Sequence, residues 1–205
     1  MLALPAEWDT AVERVAGLLA LRFGAERPVS LLKPHVTLCQ PFPAATPADV
    51  EAAATAIGVV IKELPPSPIQ VGEVASFDGV NGAHTFIHLR VEGEWLRSAN
   101  RRLVAATLPW RERAAAQGSA VGHAAHDLAG YTPHITLVAA PRLEGSAHAE
   151  QLRRAAALWQ AHRPAAPAFL PEWVWVSATP LAWWRGTLPL AEVQPRLVRF
   201  WRVPA

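Results

Sequence analysis

The sequence predicts an α+β fold, built from antiparallel sheets with helices on the outside. A short motif occurs twice, and a strand–helix–strand order repeats with it. The pentapeptides Pro34–Leu38 (PHVTL) and Pro133–Leu137 (PHITL) differ at one position. Their histidines lie 99 positions apart (134 − 35), and an ungapped shift by that offset also matches residues far outside the motif. Internal repetition of this kind predicts two related lobes. We expect them to form one domain spanning residues 1–205.

Each copy of the motif begins the same series of elements. The motif itself carries a β-branched residue in an apolar run after proline, which predicts a strand. The first helix is predicted to begin at Thr46 and Pro47, an N-cap residue followed by proline at the first helical position, and to run to about Lys62. The second is predicted from near Ser146 to about His162. A proline-rich connector then leads into a strand in each copy, at Ile69–Phe77 and Phe169–Ser177. The two repeats therefore lie around residues 33–77 and 132–176.

The remaining elements fit around the two repeats. Residues Trp8–Leu21 show the periodicity of a helix with one apolar side. A turn cluster at Asp78–Gly82 separates the strand Ile69–Phe77 from a strand at His84–Val91, which predicts an antiparallel hairpin. A further helix and a final strand are predicted at Glu94–Leu108 and Leu197–Val203. Hairpins among helices favour antiparallel sheets over a doubly wound parallel sheet.

Composition narrows the class of protein. About half of the residues are apolar and the net charge is +2, as in globular proteins. No apolar run is long enough to cross a bilayer, since arginines such as Arg22 and Arg90 interrupt the candidates. The N-terminus lacks the basic segment of a signal peptide. Cys39 is the single cysteine, which excludes an internal disulfide and suits a reducing compartment. We therefore expect a cytoplasmic protein with no membrane partner.

The polar residues of the two motifs are the candidate functional residues. Alternate residues of a strand share a face, so His35 and Thr37 point to one side, away from their apolar neighbours. His134 and Thr136 do the same in the second copy. If a pseudo-two-fold axis relates the lobes, both polar faces line one cleft. That cleft would hold two imidazoles and two hydroxyls.

Two opposed imidazoles suit displacement at phosphorus. Near neutral pH, one can accept the proton of the nucleophile while the other protonates the leaving oxygen. The hydroxyls can donate hydrogen bonds to the non-bridging oxygens. This scheme needs no metal, and neither motif has a Cys, Asp or Glu at ligand spacing. The alternative is that the motif was duplicated only for packing. Packing alone would favour Val, Ile or Leu at the positions where His and Thr recur.

The motifs PHVTL and PHITL resemble those of the two-histidine (2H) phosphoesterase superfamily, within it the bacterial 2′-5′ RNA ligase / RNA 2′,3′-cyclic phosphodiesterase group. His35–Leu38 followed by Pro41 and Phe42 resembles the first family motif, and Tyr131–Leu137 resembles the second. The resemblance covers nearly the whole chain. It implies two lobes around a V-shaped cleft, no cofactor, and hydrolysis of 2′,3′-cyclic phosphates on RNA or a nucleotide.

The resemblance also implies roles for individual residues. By this resemblance, the acid–base pair is His35 and His134. The hydroxyls of Thr37 and Thr136 would donate hydrogen bonds to the phosphate. Two aromatic residues lie beside the motifs, Tyr131 and Phe42. We expect them to contact the substrate by stacking on a base.

Two features differ from the family pattern. Many relatives have an arginine shortly after the second motif, whereas Arg142 comes later here. The short segment Leu2–Pro5 leaves little room for the family's opening strand.

Two further histidines, His84 and His88, lie on one predicted strand, but neither has Ser or Thr two positions later. We interpret them as exposed or hydrogen-bonded strand histidines.

The sequence thus predicts a metal-independent phosphodiesterase without a cofactor. Its expected partner is RNA or a nucleotide that carries a 2′,3′-cyclic phosphate, and we expect a monomer. One alternative is a non-catalytic RNA- or nucleotide-binding module, although binding alone would not need an imidazole on both sides. Another is a 2′,5′-linkage phosphodiesterase or a ligase running in reverse.

Overall fold

The computed structural model describes residues 1–24, 33–44, 46–78, 84–116, 126–178 and 196–204. Within these ranges the helices are α1 (Ala6–Phe23), α2 (Pro47–Lys62), α3 (Glu94–Ala116) and α4 (Gly145–His162). The strands are β1 (Leu2–Ala3), β2 (His35–Val36), β3 (Ile69–Asp78), β4 (His84–Glu92), β5 (His134–Pro141), β6 (Ala168–Phe169), β7 (Trp173–Ala178) and β8 (Arg196–Arg202). Helices combined with antiparallel strands confirm the predicted α+β class.

The described strands form one eight-stranded sheet in the order β6-β3-β4-β5-β2-β1-β7-β8. Each described pair is antiparallel. The motif strands β2 and β5 are neighbours at the centre. Strand β3, which follows α2, lies on the flank of β5. After α4 the chain first adds β6 to that same flank, beside β3, and then crosses to the flank of β2 as β7. Each half of the chain therefore contributes strands to both flanks of the sheet.

Helix α2 shows how local sequence sets the element bounds. The Thr46 hydroxyl accepts a hydrogen bond from the Asp49 N–H at 3.1 Å, and the Asp49 carboxylate accepts one from the Thr46 N–H at 3.2 Å. This reciprocal capping box, with Pro47 at the first helical position, fixes the start of the helix. The predicted helix from Thr46 to Lys62 is confirmed. The predicted hairpin is confirmed as β3 and β4, while residues 79–82 of its turn lie outside the described residues.

Two element boundaries differ from the prediction. Helix α3 continues through Pro109 to Ala116 instead of ending at Leu108. Proline removes one N–H from the helix, but the following turns bury Arg111 and Ala114, so tertiary packing outweighs that local cost. The strand predicted at Phe169–Ser177 is divided into β6 and β7, which pair at opposite ends of the sheet. Pro171, which lacks a donor for the ladder, lies between them.

The expectation that Leu2–Pro5 leaves little room for an opening strand is wrong. Strand β1 is two residues long and lies between β2 and β7, where Leu2 pairs with both Val36 and Val174. Leu2 is fully buried. Two residues are enough because both edges of the strand find backbone partners, and the buried leucine adds apolar packing.

One face of the sheet is covered by helices and carries the apolar core. Helices α1 and α4 pack together over β5 and β3, whereas α2 packs against α3 and over β7 and β8. Trp8 of α1 is central to the core, with its ring centroid 6.0 Å from that of Trp159 and 5.5 Å from that of Phe169. The opposite face of the sheet is left for the polar motif residues. Among the described helices, none has both the length and the apolar character needed to cross a bilayer.

Candidate active site

The two motifs meet across the β2–β5 pair. Val36 pairs directly with Ile135, and both side chains are fully buried. Because the strands are antiparallel, extending this register by one residue in each direction brings the polar residues into two facing pairs. These pairs are His35 opposite Thr136 and Thr37 opposite His134. All four side chains are half-buried, whereas the residues that alternate with them are buried. The structure therefore brings together the four residues predicted from the motifs, on one face of the sheet.

Both motif histidines are held by the same backbone contact. Nδ1 of His35 lies 2.9 Å from the Lys33 carbonyl oxygen, and Nδ1 of His134 lies 2.8 Å from the Thr132 carbonyl oxygen. A carbonyl can only accept, so each Nδ1 carries the proton, and Nε2 of a neutral ring keeps a lone pair. Within the described part of the chain, neither Nε2 has a hydrogen-bond partner. Each ring thus has a free Nε2 that can accept a proton or, once protonated, donate one.

Burial favours the neutral form of both rings. It lowers the pKa of His35 from 6.5 to about 4, and the nearby His134 contributes in the same direction. Burial also lowers the pKa of His134, with a smaller contribution from His126. Both imidazoles are therefore neutral at pH 7 in the free protein. A bound anion would raise both pKa values, because a neighbouring negative charge favours the imidazolium form.

An aromatic ring meets each motif histidine edge-on. The ring centroids of His35 and Trp175 lie 5.8 Å apart at an interplanar angle of 77°. Those of His134 and Phe77 lie 5.1 Å apart at 72°. Trp175 is on β7 and Phe77 on β3, each two strands out from the motif strand. The two aromatic contacts support the imidazole rings from both flanks.

A third histidine, His88, lies against His134. Strand β4 places it opposite Thr136, and its ring centroid lies 5.2 Å from that of His134 and 4.9 Å from that of Phe77. It is only 4% exposed, and burial, followed by the effect of His134, lowers its pKa to about 4. His84, in contrast, is exposed at the start of β4. His88 therefore forms part of the wall of the site in a neutral state.

The two aromatic residues expected to stack on a base have other contacts. The Tyr131 hydroxyl donates a hydrogen bond to the Thr37 carbonyl oxygen at 2.9 Å, and the residue is only 7% exposed. Burial raises the pKa of its phenol. Tyr131 thus joins the second motif to the first and offers no free ring face. The Phe42 side chain is half-buried, and its ring centroid lies 5.2 Å from the guanidinium carbon of Arg111.

A buried network centred on Asp127 connects the segments that flank the motifs. Arg111 donates to Asp127 at 2.9 Å, and the side chains are 6% and 2% exposed. The Gln40 N–H and the Asn100 amide also donate to Asp127, at 3.0 and 2.9 Å. The same amide donates to the Leu38 carbonyl oxygen at 3.0 Å. Side chains of α3 thereby hold the end of the first motif close to the segment that precedes the second.

A groove of about 520 Å³ extends from the His35 side of the site. Ala3, which pairs with His35 across β1 and β2, is one of the residues that line it. Aromatic side chains form much of its wall: Trp173, Trp175 and Phe200. Two of the tryptophans late in the chain, Trp173 and Trp175, therefore line this groove.

Several functional neighbours were not identified from the sequence. Phe77, Trp175 and Arg90 join the motifs only through the order of strands, which no local pattern predicts. In the sequence, Arg90 is recognisable only as a charge that interrupts an apolar run. Arg142 follows directly after β5, and its guanidinium is 3.4 Å from the Asp78 carboxylate.

No group of three or more His, Cys, Asp or Glu side chains in the described ranges is arranged to hold a metal ion. The predicted independence from metals stays a prediction.

Comparisons with known proteins identify the family of this chain and agree with its fold. A family model described as the 2′-5′ RNA ligase superfamily matches residues 4–176. The crystal structure of Escherichia coli LigT complexed with NADP⁺ has a TM-score of 0.53 and 12% identity, over 100% of this chain and 95% of that chain. The structure of Kluyveromyces marxianus Usb1 with uridine monophosphate has a TM-score of 0.50 and 12% identity, also over 100% and 95%. At this identity the two structures show the fold alone. No curated protein sequence matches this chain.

Proposed function

Because the chain belongs to the 2′-5′ RNA ligase superfamily, among the 2H phosphoesterases, we propose that it hydrolyses 2′,3′-cyclic phosphates on RNA ends or nucleotides. The observation that carries this proposal is the pair of facing His/Thr sets, in which no described residue is hydrogen-bonded to either Nε2 atom. The UMP in the Usb1 structure and the NADP⁺ in the LigT structure support a nucleotide as the ligand. The lone thiol of Cys39 supports action in the reducing cytoplasm.

The phosphate would lie over the β2–β5 junction, where neighbouring strands are about 4.8 Å apart. The Thr37 and Thr136 hydroxyls would donate to its two non-bridging oxygens, where negative charge is concentrated in the transition state. The imidazoles would stand at opposite ends of the reacting axis. This placement gives each group a contact with a different oxygen, as in-line displacement requires.

The reaction follows from that placement. Water attacks phosphorus and its proton passes to Nε2 of His134, the proposed base. The bond from phosphorus to one ribose oxygen breaks, and that oxygen takes a proton from Nε2 of His35, the proposed acid. The products are a phosphomonoester and a neighbouring free hydroxyl. A ribose 5′-hydroxyl that attacks phosphorus in place of water, with the same two proton transfers and with the 3′ oxygen leaving, would form a 2′,5′ linkage and so give the ligase reaction.

His35 must be protonated to act as the acid, although burial lowers its pKa to about 4 in the free protein. Two contacts favour the charged ring, and the second of them forms only when substrate is bound. The Lys33 carbonyl already accepts a hydrogen bond from Nδ1, and this contact raises the pKa. The negative phosphate beside Nε2 raises it further. Substrate binding and protonation of His35 are therefore coupled.

The deciding experiment is turnover of 2′,3′-cyclic nucleotides, followed by chromatography, with the double variant His35→Ala/His134→Ala as the control. Hydrolysis by the wild-type protein that the double variant lacks would support the proposal. Binding without turnover would favour the non-catalytic binding module. Cleavage of 2′,5′-linked dinucleotides without attack on cyclic phosphates would favour the 2′,5′-linkage phosphodiesterase.

A further inference from the structure

The two flanks of the site differ in charge, although the motifs at its centre are alike. Outside the second motif, β4 places Arg90 directly opposite His134. Outside the first motif, β1 places Ala3 directly opposite His35. The two positions are equivalent about the central Val36–Ile135 pair. The near-symmetrical centre therefore has an arginine on one flank and a methyl group at the equivalent position of the other. Lys33 also lines the groove on the Ala3 side, but its ammonium is paired with the Asp9 carboxylate at 3.6 Å.

Arg90 is available for a ligand. Its side chain is exposed, and within the described ranges it forms no hydrogen bond or ion pair. Several other arginines of these ranges pair with carboxylates, for example Arg101 with Glu94. Gly72 lies beside Arg90 at an irregularity of β3, where a Cβ built on the glycine would be 3.7 Å from the Arg90 Cβ. The absence of a side chain on Gly72 leaves room around the arginine.

The opposite flank suits an apolar, planar group. Beyond Ala3 lies the groove of about 520 Å³ with Trp173, Trp175 and Phe200 in its wall. The Trp173 and Phe200 rings are partly exposed, at 40% and 60%, and their centroids lie 5.6 Å apart. Exposed aromatic rings of this kind are stacking surfaces for nucleobases.

We propose that Arg90 binds the phosphodiester preceding the cyclic phosphate, while the terminal base lies toward the groove, so that the preferred substrate is an RNA 3′ end. This inference rests on the proposed function. The centre already offers two imidazoles and two hydroxyls to the reacting phosphate, and Arg90 stands one strand spacing, about 4.8 Å, outside it. The base and the 5′ oxygen extend from opposite ends of a ribose. A cation on one flank and aromatic rings on the other match that arrangement, and guanidinium binds phosphate with two parallel hydrogen bonds.

The test compares kcat/KM for a 2′,3′-cyclic mononucleotide with kcat/KM for a trinucleotide that ends in the same cyclic nucleotide. The wild-type protein should prefer the trinucleotide. Arg90→Gln should lower the ratio of the two values by about tenfold, the usual effect of losing a hydrogen bond to a charged group. Arg90→Lys should keep part of the preference, since lysine supplies the charge but not the two parallel hydrogen bonds of a guanidinium. The matched control Arg153→Gln, on the exposed surface of α4, should leave the ratio unchanged.

Salt gives a second readout. Loss of one phosphate contact should reduce the slope of log(kcat/KM) against log[salt] for the trinucleotide by about 0.7 in Arg90→Gln. A wild-type protein with no preference for the trinucleotide would overturn the inference, and so would an Arg90→Gln variant with an unchanged ratio. Absence of turnover on either substrate by the wild-type protein would instead overturn the proposed function.

Discussion

Val36 and Ile135 form the central pair of the sheet, and their register places every polar residue of the two motifs. Both side chains are fully buried in the core that the helices cover. A slip of one residue would turn these side chains to the solvent face and the imidazoles into the core, so burial of the apolar pair fixes the register. The arrangement of the site is therefore a consequence of core packing on the other side of the same two strands.

Removing either motif histidine should abolish most of the activity. His35→Ala and His134→Ala should each lower kcat/KM by about a hundredfold or more, the usual contribution of a positioned acid or base. The double variant should be scarcely worse, because the pair acts as a unit. Thr37→Ala and Thr136→Ala should cost less, since proton transfer remains. The measurement is kcat/KM of each variant on one cyclic nucleotide.

His84→Ala is the matched control, since this exposed histidine lies on β4 outside the site. Its kcat/KM should equal that of the wild-type protein. If either motif histidine could be replaced with a loss of less than about threefold, well below the contribution of an acid or base, the paired mechanism would be wrong.

The sequence was informative where structure is local. The capping box at Thr46 and the alternation within the motifs predict α2 and the four central residues, because each depends on neighbours in the chain. The surroundings of the site depend instead on which strands are adjacent. His88 and Phe77 reach His134 through the β4–β5 and β3–β4 pairs, which are long-range contacts without a local signal. Arg111 was not predicted as part of this network because the predicted helix ends at Leu108, before this residue.

Acid should destabilise the protein through its buried histidines. His88 has a pKa of about 4 when folded against 6.5 for the unfolded residue, so between these values the unfolded chain binds more protons. The free energy of unfolding therefore falls as pH falls from 6.5 towards 4. Besides Arg90 on its own strand, His88 faces His134 on β5, and these groups carry no negative charge to offset the effect.

The measurement is urea unfolding at pH 7 and pH 5 for the wild-type protein and His88→Gln. Glutamine does not titrate, so the loss of stability at pH 5 should be smaller in this variant. His84→Gln, at an exposed position of the same strand, should show the wild-type loss. An equal loss in His88→Gln and the wild-type protein would contradict a lowered pKa for His88.

Breaking the buried Arg111–Asp127 pair should be costly. Asp127→Asn leaves the buried guanidinium without its counter-charge, and such a change costs about 3–5 kcal/mol of unfolding free energy. The exposed Arg101–Glu94 pair is the control, because Arg101→Gln should cost at most about 1 kcal/mol. Urea unfolding at pH 7 measures both. A cost for Asp127→Asn as small as that for Arg101→Gln would show that the network does not hold the motif segments.

Activity on a cyclic nucleotide should survive excess EDTA. The proposed chemistry uses imidazoles for proton transfer and hydroxyls for charge stabilisation, so no step requires a cation. The measurement is the initial rate before and after exhaustive chelation. Loss of activity, with recovery on adding zinc or manganese, would establish a metal-dependent mechanism instead.

Replacing the Tyr131 hydroxyl should separate a positioning role from a stacking role. Tyr131→Phe keeps the ring but leaves the Thr37 carbonyl without its 2.9 Å hydrogen bond. Since the residue is buried, we expect a loss of about 1 kcal/mol of unfolding free energy, and a fall in kcat because Thr37 is held less firmly. KM should change little, since no ring face is exposed to the substrate.

A base-stacking residue would behave in the opposite way. Tyr131→Phe would then leave the stability and kcat unchanged, and Tyr131→Leu would raise KM. Urea unfolding and steady-state kinetics of the two variants therefore distinguish the roles, and a Tyr131→Phe protein as stable and as active as the wild type would contradict positioning by the hydroxyl.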